Sequence, residues 1–322
     1  MAVSQCGGGS PTAPQTSVET VPIATTPPAT APPASGNDPA SETPITPPVI
    51  PPPGSASTSV NILGDTGWCG SLALAPLAQL LDRLDGDILL AGDLAYPNGS
   101  AEDFKNCFEP NFGKFKGRMH VSPGNHDYVA SVSAQSYFDY FGEQRAGTPR
   151  RSYFSLPLPE AGWHCVSLNS EVDQDAHSPQ LQWLRQDLTS RQFKPILAIW
   201  HRPRWGSGAH RDSKKPRWFW NEMYAARGEL ILNGHAHHYE RFAPQRPDQI
   251  PDPQGPRMFI VGTGGRKLAG RTKDTPNREY ARFDTYGVLK LTLRPESYKW
   301  EFLSVDDRVI DTGQQAVNQR GI

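Results

Sequence analysis

The sequence predicts an α/β fold confined to residues 59–322. Two regularities predict it. Short apolar runs of strand length alternate with stretches of helical spacing, the order that parallel strands and crossover helices leave in a chain. Five of those runs also lead straight into a polar residue able to bind a ligand, and the carboxyl ends of strands are where α/β folds gather their sites.

The first 58 residues set the boundary. They hold 14 of the 32 prolines, no aromatic residue and no Lys or Arg, and their only charges are Glu19, Asp38 and Glu42. Such a segment buries too little apolar area to offset the entropy of ordering. Residues 1–58 are therefore expected to be a disordered Pro/Thr/Ala-rich tether. Residues 59–322 carry every Trp, Tyr and Phe, enough for one large core.

Taken in order, Ser59–Leu63 reads as a strand leading into Gly64-Asp65. Leu72–Leu84 has helical spacing, with Leu72, Leu77, Leu80, Leu81 and Leu84 apolar. Asp87–Ala91 is a buried strand leading into Gly92-Asp93. Strand, helix and strand here have the size of a βαβ unit. Met119–Ser122 leads into Pro123-Gly124-Asn125-His126-Asp127, and His164–Leu168 is a further strand. Pro179–Leu188 is a helix capped by Ser178. Ile196–Trp200 leads into His201, and Leu230–Leu232 into Asn233-Gly234-His235. Met258–Val261 is a strand, and Val288–Leu293 with Tyr298–Leu303 forms a hairpin.

Charge and hydropathy exclude some classes. The net charge is −1, and without the tether's carboxylates the domain stands near about +2, far from a nucleic-acid footprint. No nucleic-acid partner is expected. No run reaches the ~20 apolar residues that span a membrane, and no secretory apolar segment is present. Val3-Ser4-Gln5-Cys6, followed by Gly7-Gly8-Gly9-Ser10, resembles the end of a bacterial lipoprotein signal. That resemblance implies a membrane tether through a lipidated Cys6. Read otherwise, Cys6 is an ordinary cysteine in a low-complexity tail. Cys165, within a strand-like run, is expected to be a buried thiol.

Asp65, Asp93, Asn125, His201 and His235, with His237 two residues on, supply oxygen and imidazole donors. Such donors suit Fe, Zn or Mn better than a soft thiolate site. Gly64, Gly92, Gly124 and Gly234 permit tight turns just before four of them. Two metals about 3.5–4 Å apart can clamp a phosphate and activate a water. They need a bridging carboxylate, for which Asp93 is the natural candidate.

The motifs are Gly64-Asp65-Thr66-Gly67, Gly92-Asp93-Leu94-Ala95-Tyr96, Gly124-Asn125-His126-Asp127, Trp200-His201-Arg202-Pro203 and Gly234-His235-Ala236-His237-His238-Tyr239-Glu240-Arg241. In this order they resemble the calcineurin-like metallophosphoesterase superfamily, and within it the purple acid phosphatase branch. Val261-Gly262-Thr263-Gly264-Gly265 extends the resemblance more weakly. Other members use an Asp-x-His first motif. Here Gly67 stands in place of that His and Tyr96 follows Asp93, which points to the purple branch. The chain departs from plant members at Pro97-Asn98-Gly99 and lacks the β-sandwich domain that precedes their catalytic domain.

The resemblance implies a four-layer α/β/β/α sandwich of two mixed sheets. It implies Fe(III) held by Asp65, Asp93, Tyr96 and His237, and a divalent Fe, Zn or Mn held by Asp93, Asn125, His201 and His235. His126 and His210 would serve as acid/base residues. The implied reaction is hydrolysis of a small phosphomonoester by a metal-bound hydroxide, at mildly acidic pH. One alternative is a phosphodiesterase acting on nucleotides or glycerophosphodiesters. Another is an exported metal- or phosphate-binding surface protein without turnover. No obligate protein partner is implied. The expected location is periplasmic, cell-surface or secreted. The motifs set Cys69 and Cys107 near one edge of the fold, where an exported protein can join them.

Other residues carry weaker signals. His238 is read as a supporting or surface residue, and His120, His164 and His177 as structural or solvated. Arg202 and Arg204 open a basic loop that is either solvated or a rim guiding anionic substrates. Trp205, Trp218, Phe219 and Trp220 either pack locally or stack an aromatic leaving group.

Overall fold

The computed structural model describes residues 56–149, 151–190, 194–210 and 212–318. The expected tether up to residue 55, including Cys6, lies outside the described residues. In chain order the strands are β1 (Thr58–Leu63), β2 (Asp87–Ala91), β3 (Met119–Ser122), β4 (Phe154–Leu158), β5 (Trp163–Ser167), β6 (Ile196–Ile199) and β7 (Leu230–Asn233). They continue with β8 (Tyr239–Phe242), β9 (Arg257–Val261), β10 (Arg278–Arg282), β11 (Gly287–Arg294), β12 (Ser297–Ser304) and β13 (Val309–Ala316).

These strands form two mixed sheets. The first runs β13-β12-β11-β1-β2-β3 and the second β10-β8-β9-β7-β6-β5-β4. In the first sheet β1, β2 and β3 are parallel, while β11 pairs antiparallel with both β1 and β12. In the second, β5, β6, β7 and β9 are parallel.

Alternation along each strand sorts side chains into three apolar layers. Val60, Ile62, Leu89 and Ala91 from the first sheet meet Leu197, Ile199, Leu230 and Leu232 from the second. Leu63, Ile88 and Leu90 face the other way, against the helix Leu74–Asp82. Ile196, Ala198 and Ile231 face outward against the helices Pro179–Ser190 and Arg217–Ala225. Three interlayer cores make four layers, α/β/β/α, as the resemblance implied. Truncating one such aliphatic side chain to Ala costs about 2–5 kcal/mol. No helix among the described residues is long and apolar enough to cross a membrane.

Several sequence readings change. Leu72 shares the helical spacing of Leu77 and Leu80, yet it is 93% exposed. The helix starts only at Leu74, because the Ser71 hydroxyl and carbonyl take the amides of Ala73 and Leu74 in a preceding turn. Strands β4, β8, β10 and β13 carry too many polar residues, or a Pro157, to read as strands alone. Three of them are sheet edges, where charge is tolerated and pairing is imposed by the neighbour. The helical segment between Ala101 and Arg118 opens with a capping box of Ser100 and Asp103. It packs Phe104, Phe108, Phe112 and Phe115 into the core on the outer face of the first sheet. Cys107 lies in that segment and is disulfide-bonded to Cys69, with Cα atoms 4.7 Å apart. Cys165 is a buried free thiol. Phe219 and Trp220 are fully buried and pack on Trp200 and Trp205, so local packing wins for them.

Candidate metal centre

The parallel strands β1, β2 and β3 point their carboxyl ends at one edge, and β6 and β7 do the same in the facing sheet. Hydrogen bonds stitch the loops beyond those ends together. The Gly64 amide donates across to Val261 O at 2.8 Å, and the Asp65 amide to Gly92 O at 3.0 Å. Three polar residues in these loops adopt left-handed backbone conformations: Asp65 at φ 59°, Asp93 at φ 54° and His235 at φ 68°. Such strain in non-glycine residues persists where the surroundings over-determine it. Here the His235 amide donates to Asp65 Oδ2 at 2.8 Å, and the Asp93 amide to Asp127 Oδ2 at 3.0 Å.

Asp127 is the organiser that sequence reasoning passed over. Fully buried, it accepts the amides of Asp93 and Gly124 on one oxygen and that of Leu94 on the other. One side chain thereby holds the second and third motif loops in register. The signal was present in Gly124-Asn125-His126-Asp127, but only the partner loop reveals the role. Gly124 is required at this crossing, because a Cβ there would lie 2.3 Å from Asp93 Oδ1. Gly92, at φ +80°, faces the His201 ring, 2.6 Å from where its Cβ would be.

The seven residues expected to hold metal converge in two linked groups. In the first, Tyr96 Oη lies 2.9 Å from both Asp65 Oδ1 and Asp93 Oδ2 and can donate its one proton to either. His237 Nε2 lies 3.4 Å from both Tyr96 Oη and Asp65 Oδ1. In the second, His201 Nε2 lies 3.3 Å from Asp93 Oδ2 and 3.3 Å from Asn125 Oδ1. His235 Nδ1 lies 3.1 Å from His201 Nε2. Asp93, His201 and His235 each offer a donor atom, all within 4.8 Å of one another.

The outer nitrogens of two of these rings are committed to carbonyls. His201 Nδ1 donates to Ala91 O at 2.7 Å and His237 Nδ1 to Lys267 O at 3.1 Å. Each therefore turns Nε2 inward, the arrangement that fixes a metal-ligating imidazole. Burial alone would raise Asp93, but the charge and hydrogen bond of His201 hold its carboxyl well below the usual range. His201 itself, disfavoured by burial, is pushed up to about 10 by Asp93. Burial, then Asp65 and Asp93, push Tyr96 well above the ordinary phenol. Burial, then His201 and Arg202, bring His235 down to about 2. Burial, then Asp93, raise Asp127 to about 7. The buried carboxylates thus hold protons on Tyr96 and His201 where a cation would also satisfy them. The donor set, oxygen and imidazole with no thiolate, fits hard or borderline metal ions.

Flanking residues complete the site. The His126 ring lies 4.5 Å from the Tyr96 ring, tilted by 48°, and its Nδ1 donates to Pro97 O at 2.6 Å. The His210 ring lies 5.5 Å from His235 and 5.2 Å from His237. Arg202 donates from Nε to both Glu171 carboxylate oxygens at 2.9 Å, and its Nη1 lies 3.0 Å from His235 Nε2. Arg204 lies over the Trp205 ring and reaches Ser213 O at 3.4 Å. His238 is buried rather than on the surface, with Nε2 3.0 Å from Glu240 Oε2.

Comparison with known proteins gives this geometry its relatives. Purple acid phosphatase 15 of Arabidopsis thaliana is 26% identical over 70% of this chain and 49% of its own length. Purple acid phosphatase 18 of the same plant is 29% identical over 69% of this chain and 52% of its own. The chain thus spans about half the length of these relatives. The structure of a purple acid phosphatase from yellow lupin (Lupinus luteus) seeds superposes with a TM-score of 0.70, at 18% identity. It covers 81% of this chain and 54% of that one. The calcineurin-like phosphoesterase family matches residues 58–239. That span is more than half of the chain and contains every one of the converging loops, so the protein belongs to the calcineurin-like phosphoesterases.

Proposed function

We propose that the protein hydrolyses small phosphomonoesters at a dinuclear metal centre, as an acid phosphatase of the purple type. The single observation that carries this reading is the Tyr96 hydroxyl, 2.9 Å from both Asp65 and Asp93 carboxylates. Asp65, Asp93, Tyr96 and His237 would hold Fe(III), to which a phenolate is a hard anionic donor. Asp93, Asn125, His201 and His235 would hold a divalent Fe, Zn or Mn. Such ions supply Lewis acidity toward a phosphoryl oxygen and make water a nucleophile near neutral pH.

The chain's own residues position the substrate between two imidazoles. His126 is anchored through Nδ1 on Pro97 O, so its Nε2 would donate to a phosphoryl oxygen when the ring is protonated. His210 stands over His235 and His237; burial and then His237 lower its affinity for a proton, so it would assist the leaving oxygen as a neutral N–H donor. Arg202, braced by Glu171, acts here through His235 as a positioning residue. The Cys69–Cys107 disulfide supports an exported protein, with Cys6 as its lipid anchor. No nucleic-acid or obligate protein partner belongs to this reading.

The test is metal analysis with a substrate panel. Protein loaded with iron should be coloured, through a phenolate-to-iron charge-transfer band, and should cleave p-nitrophenyl phosphate faster than bis(p-nitrophenyl) phosphate. Preferential diester cleavage by a colourless, iron-replete enzyme would overturn the reading in favour of a phosphodiesterase.

A further inference from the structure

Arg266 lies beyond the five motif loops and outside the family match at residues 58–239. Its amide donates to Asp65 O at 3.0 Å, which fixes it beside the first loop of the centre. Its guanidinium lies 3.7 Å from the centroid of the Trp68 ring and 5.2 Å from that of Tyr96. Trp68 is itself a rigid platform. It forms a β-bridge with Tyr96, packs its ring edge-on at 5.8 Å, and precedes the disulfide-bonded Cys69.

Among the described residues the guanidinium has no anionic partner. Its Nε is buried and has no hydrogen-bond partner among the described residues, and none of the ion pairs among them involves Arg266. An unpaired buried donor is costly. A guanidinium stacked on an indole keeps its in-plane N–H groups turned outward, in the fork that matches a carboxylate or phosphate. Arg266 is only partly buried, so a ligand would be met by its terminal Nη groups rather than by the buried Nε. The guanidinium lies over the ring of Tyr96, whereas the hydroxyl of that residue is the atom between Asp65 and Asp93. A group bound by Arg266 is therefore displaced from the scissile phosphate by part of a ring.

We infer that Arg266, braced on Trp68, is a specificity-determining residue that binds a second anionic group, carboxylate or phosphate, on the leaving side of the substrate. The inference rests on the phosphomonoesterase reading and narrows its substrate class to small esters with two anionic groups. A group held this way acts mainly on binding, so its removal appears in KM rather than kcat.

The probes are 3-phosphoglycerate and glycerol 3-phosphate, which differ by one carboxylate. Metal-loaded wild-type protein should prefer 3-phosphoglycerate in kcat/KM. Arg266→Gln should reduce that preference by about tenfold or more, chiefly through KM, with partial recovery in Arg266→Lys. Trp68→Leu, which removes the platform, should lower the preference in the same direction. Equal losses on both substrates, or no loss, would overturn the inference. Calorimetric binding of the same two compounds to wild type and Arg266→Gln gives a readout that needs no turnover. A wild type that binds both compounds equally also overturns the inference. A wild type that binds 3-phosphoglycerate preferentially but cleaves no monoester would instead sink the phosphomonoesterase reading.

Discussion

The two halves of the candidate centre are built from different chemistry on a shared carboxylate. Asp65, Tyr96 and His237 place a carboxylate and a phenol within 2.9 Å of each other. Asn125, His201 and His235 contribute only neutral donor types, linked at 3.1–3.3 Å. Asp93 belongs to both, with Oδ2 reached by Tyr96 and by His201. The halves also differ in support. The first is tied to the loop carrying Trp68 and the disulfide. The second leans on the backbone carbonyl of Ala91 and on the Arg202–Glu171 pair. A donor set with more negative charge suits a cation of higher charge, so the asymmetry would suit the two unlike metals of the proposed function.

The largest effects should come from breaking one half and leaving the other. Tyr96→Phe is expected to abolish the visible band of the iron-loaded protein and loosen the first metal, while the second site still binds. Asn125→Ala should do the reverse, keeping the band while lowering turnover by more than about 100-fold. Absorption spectra and metal content measured on both variants decide it. A folded Asn125→Ala protein with wild-type turnover, or a Tyr96→Phe protein that keeps its colour, would dissolve the distinction between the halves.

A smaller effect, common to both halves, is expected at Asp127. Its two oxygens accept three amides, and the side-chain amide of an Asn offers only one accepting oxygen. In either flip, Asp127→Asn sets an NH2 group against at least one backbone N–H. Metal affinity should fall about 10–100-fold at both sites together, as for other groups that orient ligands. Competition with a chelator measures it, and a loss at one site alone would show that Asp127 does not couple the loops.

The smallest effect on chemistry belongs to the disulfide. Cys69→Ser with Cys107→Ser should lower stability by about 3–4 kcal/mol under the chain-entropy model, since the bond closes a separation of 38 residues. Any catalytic change should fall on the half that contains Tyr96, because Trp68 is next to Cys69. Denaturant unfolding and the Tyr96 band read the two consequences separately. Unaltered stability would remove the disulfide from the account of this edge.

The sequence alone determined the strands buried on both faces and the residues just beyond them. Asp87–Ala91 and Met119–Ser122 are found as strands at the expected bounds, because a fully buried strand is written as a short apolar run between turns. Asp65, Asp93, Asn125, His201 and His235 were legible for a related reason: each lies one to three residues past such a run, so its position is a local property. The tertiary structure decided whatever depends on partners far along the chain. Strands β10 and β13 have little apolar pattern of their own, and β4 alternates Phe154, Leu156 and Leu158 but is interrupted by Pro157; each is held as a strand because a neighbour offers a ladder. Leu72 fits the helical spacing and still faces solvent, since the turn at Ser71 precedes the helix. The roles of Asp127 and Arg266 belong to the same class. Each acts on a loop about 30 to 200 residues away in sequence, and hydrophobic periodicity carries no information about hydrogen bonds and ring contacts made at that separation.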